Sequence, residues 1–276
     1  MTTIFNGQRV ALEKEEILRR KWRDLGEKKN KELVDILIGE SKAGKIYLDL
    51  KKRAAHRVGI NFKEYLWPGS LTKKEVMAKI NDLNNDERVG GIMMQLPLPD
   101  ILRPAETEIV NTILPDKDVD CLTAANLGFL MMGRPRLLPA TVRGIAEILS
   151  FAGLGQKYLI GKNACILGKS NIVGKPLAVL LINKGATVTV LSHGAKNVAS
   201  FTKKADLLIS ATGEKGLIRR KMIKKGAVVI DAGAPAGDVD FSEVAPLASF
   251  ITPVPGGVGP ITVVSLLFNF YDLVSH

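Results

Sequence analysis

The sequence predicts an α/β protein of two domains, and three observations carry that expectation. Short apolar runs ending at glycine or proline alternate with helix-spaced segments from the start of the chain. Residues 164–192 read as a complete βαβ unit with a tight first loop. The length of 276 residues suits two modest domains, and 46% hydrophobic against 24% charged residues describes a packed protein, not a disordered one.

Residues 11–30 have helical spacing and many charges, which predicts a surface helix. A strand at 32–39, a helix at 45–58 and a strand at 60–67 follow. Thr72 is placed to cap the next helix, with Glu75 in the capping-box position. Residues 89–96 form a third strand before Pro97 and Pro99, and 101–114 a helix interrupted near Pro104. Residues 115–140 look irregular and hold the expected domain boundary; 141–153 are helical and bridge the two parts.

The central unit begins with the apolar run 164–167, a strand buried on both faces. A polar loop at 168–175 precedes Pro176, which opens a helix that Gly185 closes, the usual asymmetry of helix ends. Residues 187–191 are β-branched and strand-like. Strands are then expected at 205–211, 227–232 and 249–254, with a helix at 217–225. Residues 255–260 are too glycine-rich for a simple connector, and 261–274 form an apolar helix expected to return to the first domain.

The loop after 164–167 lies between a strand end and a helix start, where unpaired N–H groups and the helix dipole favour anions. Gly168 allows the turn and Gly174 a close backbone approach. Ser170 and Val173 stand where the standard dinucleotide fingerprint needs glycine, so an ordinary βα turn remains open.

The formal charge of +11 suits nucleic acid, polyanionic small molecules or a solvated lysine-rich surface. The charges are spread along the chain and aromatics reach only 5%, which gives a base-stacking surface poor support. No apolar run approaches the ~18 residues of a membrane span, and residues 1–16 lack a signal-peptide core. A cytoplasmic protein with reduced Cys121 and Cys165 is expected, without membrane or nucleic-acid partners. His56, His193 and His276 with two distant cysteines offer no zinc ligand set, so no metal is expected.

Tyr47 and Lys51 share a helix face at i, i+4, with Lys52 and Arg53 adjoining. Alone, such a pair is most often surface packing. Gln95 ends a buried strand, where α/β sheets bind ligands, or satisfies backbone groups. Asp118 and Asp120 could bind magnesium or a cationic heterocycle, although capping a turn is the ordinary role for such residues.

Five ordered stretches combine these residues: YLDLK (47–51), GIMMQLPLP (91–99), PDKDVD (115–120), GKSNIVGKP (168–176) and TPVPGGVGP (252–260). Together they resemble the bifunctional methylenetetrahydrofolate dehydrogenase/methenyltetrahydrofolate cyclohydrolase family over nearly the whole chain. The resemblance implies oxidation of 5,10-methylenetetrahydrofolate and hydrolysis of the methenyl product to 10-formyltetrahydrofolate, both in one cleft. It implies that Lys51 shuttles protons, Tyr47 stacks on the folate aminobenzoate, Gln95 orients the lysine and Asp120 bonds the pterin. Catalytic roles thus fall to Lys51, Gln95 and Asp120, and substrate contacts also to Tyr47, Pro255, Gly256 and Gly257.

Cofactor contacts are expected at Gly168, Lys169, Ser170, Val173, Gly174, Ser192, His193, Thr212 and Gly213. Residues 188–194 carry no carboxylate where an NAD site usually has one, which favours NADP. The expected division is a folate-binding domain of 1–117 plus 258–276 and a Rossmann-like, parallel-sheet domain of 118–257. A homodimer is expected, acting on folates whose tails carry carboxylates that suit a basic protein. The chain departs from the family at Lys42, Gly44 and Cys121, where proline, serine and glycine are usual, and in a shortened segment at 234–237. The rival readings are a dehydrogenase without cyclohydrolase activity and a basic nucleic-acid-binding module.

Overall fold

The structure is a computed structural model and describes residues 1–275, apart from the side chain of Gln156. In chain order, β1 (Thr3–Ile4) and α1 (Gly7–Arg23) lead to β2 (Glu32–Ile38), α2 (Lys42–Val58), β3 (Asn61–Trp67), α3 (Lys73–Asn85) and β4 (Val89–Met94). Four helices follow: α4 (Glu106–Val110), α5 (Ala124–Met131), α6 (Ala140–Phe151) and α7 (Gln156–Leu159). Next come β5 (Asn163–Leu167), α8 (Gly174–Asn183), β6 (Thr187–Leu191), α9 (Val198–Thr202) and β7 (Leu207–Ser210). The chain ends with β8 (Val228–Asp231), α10 (Phe241–Val244), β9 (Phe250–Ile251) and α11 (Val258–Ser275).

The chain divides into two compact units. One holds Glu13–Phe129, Pro135–Ala140 and the residues from Val263 onward. Its sheet is parallel, in the order β3-β2-β4. β2 is central, so it is buried on both faces and reads as an apolar run. Val34, Ile36 and Ile38 meet Val76 and Ile80 of α3 and Ile92 of β4 in one cluster. Each such side chain contributes about 1.5–3 kcal/mol by leaving water. Leu33, Asp35 and Leu37 point to the opposite face, because side chains alternate along a strand. Asp35 is the exception to the apolar pattern.

Local signals set the helix ends of this unit. Ser41 Oγ accepts from Gly44 N at 2.9 Å and caps α2, which ends at Gly59 with φ 92°. The capping box of Thr72 and Glu75 is formed at α3. A Cβ on Gly44 would lie 2.9 Å from Leu37 Cδ1, so the departure to glycine leaves the room α2 needs against β2.

The other unit holds Met1–Leu12, Leu130–Arg134 and Thr141–Thr262. Its six strands are all parallel, in the order β1-β9-β8-β7-β5-β6. The first residues therefore differ from the expected division. Thr3 and Ile4 pair with Phe250 and Ile251, and the Thr2 hydroxyl is 2.7 Å from Ala245 O and 2.8 Å from Ala248 O. The division expected at 117 and 118 also shifts. Asp118 bridges Ile92, and Val119 N donates to Ile92 O at 3.3 Å, which keeps the residues after 117 with β4.

Four expectations of local structure are corrected. Residues 217–225 form only a 3-10 turn at Arg220–Met222, because Ile218 is held extended by an isolated bridge to Val239. Residues 115–140 contain α5, and of 249–254 only Phe250–Ile251 pair as strand. The last helix is longer than read: its 18 residues are long and apolar enough to cross a membrane, yet half of it is buried within the protein. Val264, Leu267 and Phe270 are fully buried, Phe270 stacks on Trp22 at 5.2 Å, and Asn269 donates to Val119 O and Leu138 O.

Candidate active site

In the first unit, α2 delivers Tyr47 and, one turn later, Lys51. Tyr47 is partly exposed, whereas only 12% of the Lys51 side chain is accessible. Lys51 Nζ lies 3.4 Å from Asp35 Oδ2, and Gln95 Nε2 donates to both oxygens of the same carboxylate at 3.0 and 2.7 Å. Gln95 thus meets Lys51 through Asp35, a residue the sequence reading missed. The available signal was a lone acid inside a run of apolar residues on a buried strand.

Burial pushes the Asp35 carboxyl up, while Lys51 and Gln95 pull it back and Glu64 adds to the rise. Asp120 keeps part of its surface accessible, but burial pushes its pKa up to about 6; Lys51 opposes the shift and Asp35 and Asp118 support it.

Asp118 has a different task. It accepts from Leu122 N, Thr123 N and Asn126 Nδ2 at 2.8–3.1 Å, holding the turn that starts α5. Cys121 between the two tasks has φ 56°, the left-handed conformation that glycine tolerates best. The departure from glycine therefore keeps the turn. Its buried thiol donates to Leu137 O at 3.3 Å, and burial raises its pKa.

In the second unit, Gly168 ends β5 with φ 111°; a Cβ there would lie 2.5 Å from Ala211 O. A Cβ on Gly174 would lie 2.0 Å from Gly168 O. Ser170 Oγ accepts from Val173 N at 3.1 Å and Gly174 N at 3.4 Å, which closes the turn into α8. Lys169 and His193 are exposed, and Ser192 half-buried, at the ends of the paired strands β5 and β6. A turn drawn tight at Gly168 and Gly174, with cationic and hydroxyl groups beside it, fits a phosphate-bearing nucleotide.

Two buried carboxylates support the neighbouring strand ends. Asp238 Oδ2 accepts from Ser210 Oγ, Thr212 N and Thr212 Oγ1 at 2.7–2.8 Å, which fixes the segment of Thr212 and Gly213. Asp231 accepts from Gly233 N, Asp238 N and Val239 N at 2.9–3.1 Å. The shortened segment at 234–237 is folded over this network. Pro255, Gly256 and Gly257 precede α11; Gly7 N donates to Gly256 O at 2.8 Å, and a Cβ on Gly257 would lie 2.4 Å from Pro253 O. Among the described residues, no group of three or more His, Cys, Asp or Glu is arranged to hold a metal.

A parallel sheet with a phosphate-sized turn in one unit, and a lysine held on a buried acid in the other, define a nucleotide-dependent α/β enzyme. Comparison narrows this class. The sequence matches "Tetrahydrofolate dehydrogenase/cyclohydrolase, catalytic domain" over residues 5–120 and the NAD(P)-binding domain of the same family over 139–276. The chain belongs to the tetrahydrofolate dehydrogenase/cyclohydrolase family. It is 42% identical to the Bifunctional protein FolD of Bacillus subtilis, covering 97% of this chain and 95% of that one. The crystal structure of the bifunctional FolD enzyme of Campylobacter jejuni superposes with a TM-score of 0.92 at 38% identity, covering 99% of both chains. The Trypanosoma brucei enzyme, solved with NADP and an inhibitor, gives 0.93 at 32% identity over 99% of this chain and 97% of that one.

Proposed function

We propose that the protein oxidises 5,10-methylenetetrahydrofolate to the methenyl form with NADP and hydrolyses that product to 10-formyltetrahydrofolate. The observation that carries this reading is the nearly buried Lys51 ammonium held on Asp35, within a chain of this family. The methenyl carbon is cationic, so water attacks it without further activation. The water gives up both its protons in turn: one equivalent reaches N5 as the bond from that carbon to N5 opens, the other goes to solvent, and the formyl group stays on N10. The Lys51 ammonium donates the proton that N5 needs and recovers one from the attacking water, a role that contributes about 10²- to 10⁴-fold. Tyr47 stacks on the aminobenzoate, Asp120 bonds the pterin, and Pro255, Gly256 and Gly257 line the substrate.

NADP supplies the hydride acceptor of the first step. Gly168, Lys169, Ser170, Val173 and Gly174 hold its phosphates, and Thr212 and Gly213 complete the site. Ser192, His193 and Lys169 receive the 2′-phosphate. No carboxylate stands between Val188 and Gly194 to favour a free ribose. The T. brucei relative was solved with NADP, whereas a Saccharomyces cerevisiae protein of the same fold at 21% identity is NAD-dependent. The protein is expected to serve one-carbon metabolism and purine biosynthesis in the cytoplasm, as a homodimer.

One assay tests both steps: absorbance after mixing the protein with methylenetetrahydrofolate and either NADP or NAD. NADPH formation followed by decay of the methenyl band supports the reading. NADPH formation with a stable methenyl band leaves a dehydrogenase alone, and faster reduction of NAD removes the cofactor assignment.

A further inference from the structure

Asp35 lies in the middle of the central strand, in register with Glu64 of β3 and Met93 of β4, and is fully buried. A carboxylate there is costly unless it is paired, and an apolar residue would suit the strand better. Its partners come from two other elements: Lys51 from α2 and Gln95 from the segment after β4. The hydrogen bonds of the Gln95 side chain both end on Asp35, none on Lys51. The ion pair of Lys51 within 4.0 Å is with Asp35. Asp120 acts on the same pair electrostatically, as does Glu64, which is itself paired with Lys52 at 2.9 Å; Asp118 acts in turn on Asp120.

We propose that Asp35 is a positioning residue for the hydrolytic step: its carboxylate fixes the Lys51 ammonium, and Gln95 acts on Lys51 only through it. The inference rests on the proposed function. Asp35 touches no reacting atom. It removes the rotational freedom of a long side chain that must meet a water at one place.

The test uses the full-length enzyme and Asp35→Asn, which keeps the shape and removes the charge. The kcat for methenyltetrahydrofolate hydrolysis is expected to fall about 10- to 100-fold, with its KM and the dehydrogenase kcat changed less than about threefold. Gln95→Leu is expected to lower the hydrolytic kcat by a similar factor. The double variant is expected to be no worse than the poorer single one, because residues acting in series are not additive. A role in stability alone predicts instead a lower unfolding midpoint with both activities unchanged per folded molecule, and that result overturns the proposal. Additive losses at Asp35 and Gln95 overturn it too. If Asp35→Asn fails to fold, Gln95→Leu, which leaves the ion pair of Lys51 and Asp35 in place, carries the test; hydrolysis at the normal kcat there overturns the proposal. A wild-type enzyme that reduces NADP but leaves the methenyl species intact removes the proposed function and this inference together. Normal wild-type hydrolysis with an unaffected Asp35→Asn removes this inference alone.

Discussion

Each unit buries carboxylates, and the two solve the same electrostatic problem differently. In the six-stranded unit Asp231 accepts from backbone N–H groups, and one oxygen of Asp238 from hydroxyls and a backbone N–H. Asp35 in the three-stranded unit leans on an ammonium and an amide side chain. Fixed backbone donors give a stable fold and nothing that moves. A lysine partner puts a group able to exchange a proton beside the acid, at the cost of holding a flexible chain in place. Asp118 shows that the division follows role and not unit, since it too is satisfied largely by main-chain donors, two residues from Asp120.

The largest expected effect breaks the contrast from the side of chemistry. Lys51→Met is predicted to lower hydrolysis at least about 100-fold while the dehydrogenase continues, followed as decay of the methenyl band. Normal hydrolysis would sink the role of Lys51. On the other side, Asp231→Ala leaves three buried N–H groups without an acceptor and is predicted to destabilise the protein by about 3–5 kcal/mol, measured by urea unfolding. A loss under about 1 kcal/mol would show that these donors find other partners.

A third prediction concerns pH. The Asp120 value of about 6 lies above the ordinary 3.8, so the fold favours the neutral acid. The unfolded chain releases this proton first as pH rises. Stability from this group is thus complete below about pH 4 and lost as pH climbs through about 6, some 1–3 kcal/mol in all. Asp120→Asn should remove that slope when unfolding is compared with wild type from about pH 4 to 7; parallel curves would refute the shift. The smallest effect tests the backbone-held turn. Cys121→Gly should be at least as stable as Cys121→Ala, because glycine relieves about 1–2 kcal/mol of left-handed strain that alanine retains. The reverse order would place the value of Cys121 in its buried thiol.

Much of this was legible in the sequence because the signals were local. The Thr72–Glu75 box, the strand at 187–191 and the turn at Gly168 rest on residues a few positions apart. The errors arose where distant partners decide. Ile218 is apolar in a helix-like run, but its backbone bonds to Asp238 and Asp240 on either side of Val239. Asp35 was read as one more strand residue, since nothing beside it names Lys51 or Gln95 as partners. The Asp118 turn hid α5 in a stretch rich in glycine and proline, because its side chain supplies the cap that the backbone pattern alone does not show.

The pairing of Thr3 with Phe250 has a consequence for how the molecule is made. A ribosome releases the first strand long before the ninth exists, so this edge of the larger sheet closes only when synthesis is nearly complete. Until then Phe5, buried in the finished protein, has no Phe250 to pack against. A fusion or deletion at the extreme start of the chain should accordingly be felt in the nucleotide-binding half, far away in sequence from the cut.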